Sequence, residues 1–324
     1  MNDITLAICA YNCEQYIEET LESILNQTFQ AFDLFIVNDC STDNSVTLIE
    51  TFLKTHKRKY TLINFDVNKG LAAGRSYVEN NVQTKYILFV DADDCPYPAL
   101  VEKLYNKIAN DDDIMAVGCY HEFIDSKSKK IGGGIFLGEI SKENFYLKAK
   151  NKKLVFMQPT AIINRDVLLK VGGRNISGFF EGKPRYQDLC EDLDLWTRMS
   201  DLYHEGKAIL VVPEVLCKYR KHEQAMSANS LGMIIRMKHI KKNLLLRRAG
   251  KKEITFINFY NSLSDTEIID LKNRSKAADY LRNGVFLLNK VEIFKGMKSV
   301  LISIFADPAY LWEKIKANSG LYRK

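Results

Sequence analysis

The 324-residue sequence has no apolar run that approaches the roughly 18 residues a membrane-spanning helix needs. Its first residues, MNDITLAICAYN, lack the basic start and long apolar stretch of a secretory signal peptide. The seven cysteines are scattered and never spaced as Cys-x-x-Cys, which is atypical of a disulfide framework. No internal repeat or low-complexity segment stands out. We therefore expect a cytoplasmic protein with reduced thiols.

Charge is divided unevenly along the chain. Residues 226–324 hold 19 Lys and Arg against 8 Asp and Glu, a net of +11, whereas the rest has a net of −5 and the total is +6. This predicts an acidic part, residues 1–225, followed by a basic helical C-terminal region, residues 226–324. A basic block is commonly a solvated surface, but it also suits anionic partners such as lipid headgroups.

Apolar runs alternate with helix-like segments over the first 120 residues. The predicted strands comprise residues 4–10, 32–39, 59–65, 85–93 and 113–120. Amphipathic segments separate them, and one opens at STDNS (41–45), whose residues are good helix N-caps. Buried strands alternating with helices indicate an α/β fold, with a Rossmann-like, mostly parallel sheet flanked by helices.

Three Asp-x-Asp patterns occur, and their positions distinguish them. Ligands of open α/β sheets bind beyond the carboxyl ends of strands, which favours Asp91 and Asp93 at the end of ILFVDADD. Residues 111–113 precede a strand and are predicted to form a solvated turn. Residues 192–194 are predicted to start an amphipathic helix. Hard carboxylate oxygens suit Mg²⁺ or Mn²⁺, ions that commonly also bind substrate phosphates.

Polar residues follow three other predicted strands at the same edge of the sheet: Tyr11, Asn12, Asp39 and Asn68. Tyr11 is suited to stacking on a base, and Asp39 to accepting the imide N–H of uracil. Gly70 allows close approach of the backbone to a ligand, and Arg75 is suited to meeting a nucleotide. Turn formation explains Asp39 and Asn68 equally well, and a surface cation explains Arg75.

Six motifs together resemble those of the family 2 glycosyltransferases of the GT-A fold, in the same order and over residues 3–227. They read AYN (10–12), VNDCSTD (37–43), NKGLAAGR (68–75), FVDADD (89–94), CEDLDLW (190–196) and YRKHEQAMS (219–227). The resemblance implies a GT-A catalytic domain over residues 1–225, with a nucleotide-sugar-binding half (1–120) and an acceptor half (121–225). It also implies inverting, metal-dependent transfer of a sugar from a nucleotide-sugar, usually a UDP-sugar.

The resemblance further implies three groups of site residues. Nucleotide-sugar contacts would come from Ala10, Tyr11, Asn12, Asp39, Asn68, Gly70, Arg75, Asp91 and Ala92. Mn²⁺ or Mg²⁺ would be held by Asp93, with Asp91 and His222 near it. Asp192 would be the catalytic base, with Glu191 beside it. Two departures from the family pattern are GRS at residues 74–76 in place of ARN, and one extra residue before Ser227.

Two alternatives keep parts of this pattern. A sugar-phosphate nucleotidyltransferase should open with a glycine-rich loop carrying a basic residue, whereas the first strand here ends in CAYN. A catalytically inactive nucleotide-sugar-binding protein would have no need of every acidic motif. The resemblance therefore implies a hexosyl- or N-acetylhexosaminyltransferase that acts on a glycan or lipid-linked acceptor in bacterial surface polysaccharide synthesis. We expect no nucleic-acid partner.

Apolar side chains in the later part of the chain allow two interpretations. The loop 176–190 carries Phe179, Phe180 and Tyr186, which are suited either to packing on a sugar ring or to the core. Further along the chain, apolar residues at helical spacing form a stripe that is predicted to pack inside the protein, and Lys295, Ser299 and Ser303 lie away from this stripe. The stripe comprises Phe286, Ile293, Met297, Val300, Leu301 and Ile304. The basic run 236–252 suggests peripheral contact with an anionic inner membrane leaflet as a secondary use.

Overall fold

The computed structural model describes residues 2–182, 185–222, 229–289 and 292–318. The first part of the chain alternates strands and helices as predicted: β1 Ile4–Ala10, α1 Ile17–Leu25, β2 Phe32–Asn38, α2 Ser45–Thr55, β3 Thr61–Asn64, α3 Leu71–Asn81 and β4 Tyr86–Asp91. Strands β1 and β4 are buried almost throughout because helices cover both faces of the sheet, which explains their continuous apolar sequences.

The second part supplies the remaining strands and the helix that carries the acidic pair. Its elements are β5 Cys95–Pro96, α4 Leu100–Ala109, β6 Ile114–Ile124, β7 Lys130–Ile135, α5 Lys142–Lys150, β8 Ala161–Asn164, α6 Arg165–Lys170, α7 Glu191–Met199, a 3₁₀ helix Ser200–Glu205 and β9 Ala208–Arg220. As predicted, α7 is amphipathic, and Leu195 and Trp196 are fully buried. The Trp196 indole N–H donates to the Met157 carbonyl at 3.1 Å.

The strands form one sheet in the order β3-β2-β1-β4-β8-β6-β9-β5, with β7 beside β6. Strands β1 to β4 are mutually parallel, as are β6 and β9. Strand β8 lies between β4 and β6 and is antiparallel to both. The fold is therefore mixed α/β with a mostly parallel sheet, as predicted. The position of β8 could not be read from the alternation of the first 120 residues, since it is supplied by a short segment far along the chain.

The C-terminal region is helical, with α8 Ser230–Arg248, α9 Phe256–Asn261, α10 Asp265–Asn289, α11 Ile293–Ala306 and α12 Pro308–Asn318. The predicted boundary at residues 225 and 226 lies outside the described residues, as does Ser227. Among the residues that are described, no helix combines the length and apolar character needed to cross a bilayer.

A second apolar cluster attaches this region to the loop 176–190. Phe179 stacks on Phe256 with ring centroids 5.5 Å apart, and Tyr186 lies 4.4 Å from the same ring. Phe180 meets Phe256 edge-on at 6.2 Å. These contacts favour the core interpretation of the three loop aromatics over a sugar-binding surface.

Ion pairs attach the C-terminal region to the 3₁₀ helix as well. Arg247 and Arg248 each lie 2.5 Å from an oxygen of Asp201.

The predicted packing of α11 is wrong in part. Ser299 and Ser303 are buried against α10, whereas Ile293, Met297 and Leu301 are about half exposed. Val300 and Ile304, which belong to the same predicted stripe, are partly buried. The physical reason is that small residues let the two helices approach closely, and each buried hydroxyl donates to a carbonyl of α10, at 2.8 and 2.7 Å. Hydroxyl groups satisfied in this way are compatible with a helix interface. The side chain of Phe286, also in that stripe, lies outside the described residues.

Candidate active site

The carboxyl ends of β1, β2 and β4 meet at one edge of the sheet, as predicted. The parallel register pairs Ala10 with Asn38 and Cys9 with Asp91. Ala10 and Ala92 are buried, and their carbonyls accept hydrogen bonds from the Asp39 N–H at 2.8 Å and the Thr20 hydroxyl at 3.1 Å. The loops that follow these strands therefore start from fixed positions.

Asp39 fastens the loop that leads into α3. Its two carboxylate oxygens accept the backbone N–H groups of Lys69 and Gly70 at 2.6 and 2.8 Å, and the Asn68 amide donates to the Asp39 carbonyl at 3.1 Å. Burial raises the pKa of Asp39, and the two N–H donors oppose that rise. Each carboxylate oxygen retains a second lone pair, so the group can still accept a hydrogen bond from a ligand.

Asn12 and Tyr11 have different surroundings. Asn12 has a left-handed backbone conformation, with φ of 46°, and its side-chain oxygen accepts the Thr42 N–H at 2.8 Å. Its own N–H donates to the Ser41 hydroxyl at 3.0 Å. Tyr11 is 49% exposed beside it. Asn12 therefore orders the loop after β2, while the Tyr11 ring stays accessible for stacking.

Asp188 is a site residue that was not identified from the sequence. Its Oδ1 accepts the Ala72 N–H at 2.9 Å and so caps the first turn of α3. A Cβ added to Gly70 would lie 2.5 Å from Asp188 Oδ2, and Gly70 has φ of +96°, so this position requires glycine on both counts. Burial raises the pKa of Asp188 to about 6. No sequence periodicity marks Asp188, because it lies in a loop.

Arg185, in the same loop as Asp188, makes a second contact with the segment before α3. Its Nη2 donates to the Asn68 carbonyl at 2.9 Å. The loop that precedes α7 is therefore tied to the loop that Asp39 fastens, although more than a hundred residues separate the two in the sequence.

A buried chain of alternating charges joins two of the acidic motifs. The Arg75 guanidinium forms ion pairs with both Asp91 and Glu191. Arg174 lies 2.5 Å from the other Glu191 oxygen and 2.8 Å from Glu79. Arg75 is only 2% exposed, so the surface-cation interpretation is wrong. Arg174 and Glu79 were not identified in the sequence, since nothing in their spacing shows that they meet.

Glu191 and Asp192 differ sharply in their surroundings. Glu191 is buried between two arginines. Asp192 is partly exposed and has no ion-pair partner within the described parts of the chain. Burial, and then the charge of Glu191, raise the pKa of Asp192 to about 6. Asp192 is therefore the carboxylate of the pair that is available to accept a proton near neutral pH.

Asp93 and His222 face each other beyond β4. The His222 Nε2 lies 2.8 Å from Asp93 Oδ2, and the two side chains are 17% and 31% exposed. Arg220 fixes the turn beneath them: its backbone N–H donates to Asp94 and its Nε donates to the Asp93 carbonyl. Carboxylate and imidazole are both ligands of first-row divalent ions, so this pair fits a metal. No group of three or more His, Cys, Asp or Glu suited to a metal occurs in the described residues.

The pattern at 111–113 has the predicted role of a turn. Lys142 Nζ contacts Asp111 at 2.8 Å and Asp113 at 2.9 Å, and both carboxylates are well exposed. This turn precedes β6, so it lies at the amino end of that strand.

Comparison with known proteins identifies the family. The model of glycosyl transferase family 2 matches residues 5–172. This chain belongs to glycosyl transferase family 2. An uncharacterized glycosyltransferase of Haemophilus influenzae is 29% identical over 276 residues, which cover 84% of this chain and 82% of that protein. An uncharacterized glycosyltransferase of Escherichia coli, YibD, is 32% identical over 283 residues, or 85% of this chain and 72% of that protein.

Another relative is similar to this chain over only a small part of the relative's own length. The teichoic acid poly(glycerol phosphate) polymerase of Staphylococcus epidermidis is 38% identical over 116 residues, which cover 36% of this family 2 chain and 16% of that longer protein.

Solved structures show that the fold is GT-A. TarS 1-349 of S. aureus in complex with UDP-GlcNAc matches 96% of this chain and 92% of that one, with a TM-score of 0.56 and 16% identity. The mannosyltransferase PcManGT of Pyrobaculum calidifontis, in complex with GDP-Man and Mn²⁺, matches 97% and 88%, with a TM-score of 0.54 and 16% identity.

Proposed function

We propose that this family 2 protein is an inverting, metal-dependent glycosyltransferase that moves a sugar from a nucleotide-sugar, with UDP as the expected nucleotide, to a glycan or lipid-linked acceptor. The observation that carries the proposal is the double ion pair of Arg75 with Asp91 and Glu191. It joins the end of β4 to the start of α7, so the two acidic motifs lie next to each other.

The donor side of the proposal rests on the loops after β1, β2 and β3. Tyr11 offers an accessible ring for stacking on a base, and Asp39 retains lone pairs for a base N–H. The TarS and PcManGT structures hold UDP-GlcNAc and GDP-Man, which supports a nucleotide-sugar as the donor class. Arg75 acts in this scheme as a positioning residue for Asp91.

Asp93 and His222 would hold the divalent cation, Mn²⁺ or Mg²⁺, in place of their present mutual contact. Ions of this kind commonly bind one or two protein side chains and the phosphates of a substrate, which suits a site with few protein ligands. When bound, the ion supplies electrostatic stabilisation for the charge that develops on a nucleoside diphosphate leaving group. The Mn²⁺ in the PcManGT structure supports this assignment.

Asp192 is proposed to take the proton of the acceptor hydroxyl as that oxygen attacks the anomeric carbon. Its raised pKa, about 6, keeps it ionised at neutral pH yet basic enough to accept a proton. Glu191 cannot share this role, because both its oxygens contact arginines. A direct displacement that needs one carboxylate on the acceptor side inverts the configuration of the sugar.

The biological setting is proposed from the relatives. The similarity to a teichoic acid polymerase supports a role in the synthesis of a bacterial surface glycan. We propose that the reaction takes place in the cytoplasm, at the inner face of the cell membrane. The sugar transferred is proposed to be a hexose or an N-acetylhexosamine.

A donor panel tests this function. Purified protein is incubated with UDP- and GDP-sugars, with and without Mn²⁺, and the released nucleoside diphosphate is measured. We expect release from one or a few donors, only with the metal. Thermal stabilisation by a nucleotide-sugar without any release, under every metal and acceptor condition, would instead indicate an inactive binding protein.

A further inference from the structure

Helix α11 presents a row of apolar side chains to solvent. Phe294 is 90% exposed and Phe305 is 85% exposed, with Met297 and Leu301 between them at 55% and 52%. These four residues, here the α11 face, lie on one side of a helix with 3.6 residues per turn. The row is about 16 Å long at the helical rise per residue. Single exposed apolar residues are ordinary, but a continuous row of four marks an interaction surface.

The rest of α11 holds this face outward. Gly296, Ser299 and Ser303 are buried against α10. A Cβ added at Gly296 would lie 2.7 Å from Leu288 Cγ, so the helices are already in close contact there. Turning the phenylalanines inward would break the two hydroxyl hydrogen bonds to α10 and push large side chains into an interface built for small ones. The exposure of the α11 face is therefore a property of the helix pair.

The charges around the α11 face are mainly positive. From Ile293 to Ala306 the helix carries Lys295 and Lys298 and no acidic residue. Lys295 contacts Glu292 at 2.7 Å, and Lys298 has no ionic partner in the described ranges. A neighbouring groove between α8, α10 and α12, which includes Ala306 in its lining, has five basic and three acidic residues. Anionic groups would therefore meet Lys295 and Lys298 beside the apolar row.

We propose that the α11 face docks on the surface of an anionic lipid bilayer, with Phe294 and Phe305 among the acyl chains and Lys295 and Lys298 at the lipid phosphates. Apolar residues with lysines at their flanks are typical of helices that lie in the plane of a membrane interface. Self-association fits less well: two copies related by a two-fold axis would bring like charges together. Four side chains on one helix also supply less than the roughly 800 Å² per partner of a standard interface.

Co-sedimentation with vesicles tests the proposal on the full chain. Vesicles of phosphatidylcholine with phosphatidylglycerol are compared with vesicles of phosphatidylcholine alone, at low and high salt. We expect binding to the anionic vesicles that weakens as salt rises. Phe294→Ser/Phe305→Ser should weaken this binding at least about tenfold, and Lys295→Glu/Lys298→Glu should do so by about as much.

Matched controls separate the α11 face from general surface effects. Leu147→Ser removes a side chain that is 61% exposed on α5, and Lys54→Glu/Lys107→Glu reverses two exposed charges on α2 and α4. Both control variants should bind as wild type. Circular dichroism and thermal unfolding check that the α11 variants are folded. We expect them to be folded, because the substituted phenylalanines are largely exposed.

Three results would overturn the proposal. These are wild-type protein that ignores anionic vesicles, phenylalanine variants that bind as well as wild type, and equal binding to neutral and anionic vesicles. Sedimentation velocity without lipid adds a fourth: a dimer that dissociates in Phe294→Ser/Phe305→Ser would assign the face to a second copy of the chain. None of these assays uses a sugar donor, so their outcome does not depend on whether the protein transfers a sugar. Loss of vesicle binding would remove the membrane location and leave the transfer activity to be tested by the donor panel.

Discussion

Glu191 and Asp192 allow a matched pair of substitutions, Glu191→Gln and Asp192→Asn, each exchanging an acid for its amide. Glu191→Gln removes the negative charge between two nearly fully buried arginines, Arg75 and Arg174. Arg75 would keep only Asp91, and Arg174 only Glu79. Breaking a buried ion pair by removing one partner costs about 3–5 kcal/mol. At ~2 °C per kcal/mol for a chain of this size, the Tm should fall by about 6–10 °C.

Asp192→Asn should have the opposite profile. No ion pair is lost within the described part of the chain, so the free energy of unfolding should not fall. Because burial raises the pKa of Asp192 to about 6, removal of its charge should raise the free energy of unfolding at neutral pH by at most on the order of 1 kcal/mol. Transfer to the acceptor should fall by ~10²-fold or more, because an amide cannot take the proton of the hydroxyl. Donor binding should be nearly unchanged.

The assays are thermal unfolding followed by circular dichroism, donor titration, and steady-state transfer with both variants side by side. If Glu191→Gln unfolds like wild type but abolishes transfer, while Asp192→Asn keeps its activity, the two roles are reversed. If Glu191→Gln leaves the Tm unchanged, the ion pairs of Glu191 with Arg75 and Arg174 do not stabilise the fold.

Three further predictions concern the surroundings of this pair. The transfer rate should rise with pH through about 6 and then level off, because Asp192 must be ionised to act as a base and its pKa is raised to about 6. A pH–rate profile with no change between pH 5 and 8 would contradict this prediction. Gly70→Ala should destabilise the protein by ~1–3 kcal/mol, measured by urea unfolding, since alanine is strained at φ of +96° and meets Asp188. Gly206→Ala is the control, because Gly206 also has a positive φ and a Cβ there would meet no atom of the described residues within 4 Å. An equal loss of stability in both variants would show that contact with Asp188 contributes nothing. Asp188→Asn should raise the free energy of unfolding at pH 8 by on the order of 1 kcal/mol. The pKa of Asp188 is raised to about 6 in the folded state, so its ionised form destabilises the fold above about pH 6 and has no effect below about pH 4. A gain of the same size at pH 4 would show a different cause.

The alternating part of the fold was predictable because strand and helix periodicities are local. Strands β1 to β4 and their polar ends follow from continuous apolar runs that stop at Asn12, Asp39 and Asp91. The position of β8 was not predictable, since its short sequence carries no information about its neighbours in the sheet. The inward faces of long helices were also unreliable: α11 buries Ser299 and Ser303 rather than Met297 and Leu301, because helix contact here depends on close approach and not on hydrophobicity.

In the candidate site, too, some residues could be predicted from the sequence and others could not. The acidic residues that follow strands or start α7 were found from the sequence, since their positions mark an edge of the sheet. The groups that hold them in place were not. Only the tertiary fold brings Arg174 to Glu191, Glu79 to Arg174, and Asp188 to Ala72. Arg75 was found, but its burial between two carboxylates depends on a partner more than a hundred residues away.

Metal-dependent sugar transfer is proposed to take place at the edge of the sheet beyond β4. The most direct measurement is the rate of nucleoside diphosphate release, from the donor that the panel identifies, for wild type in Mn²⁺, wild type in excess chelator, and Asp93→Ala in Mn²⁺. Asp111→Ala serves as the control, because Asp111 pairs with Lys142 in an exposed turn. We expect release only from wild type and Asp111→Ala in the presence of Mn²⁺. Full activity of Asp93→Ala, or of wild type in chelator, would contradict the account.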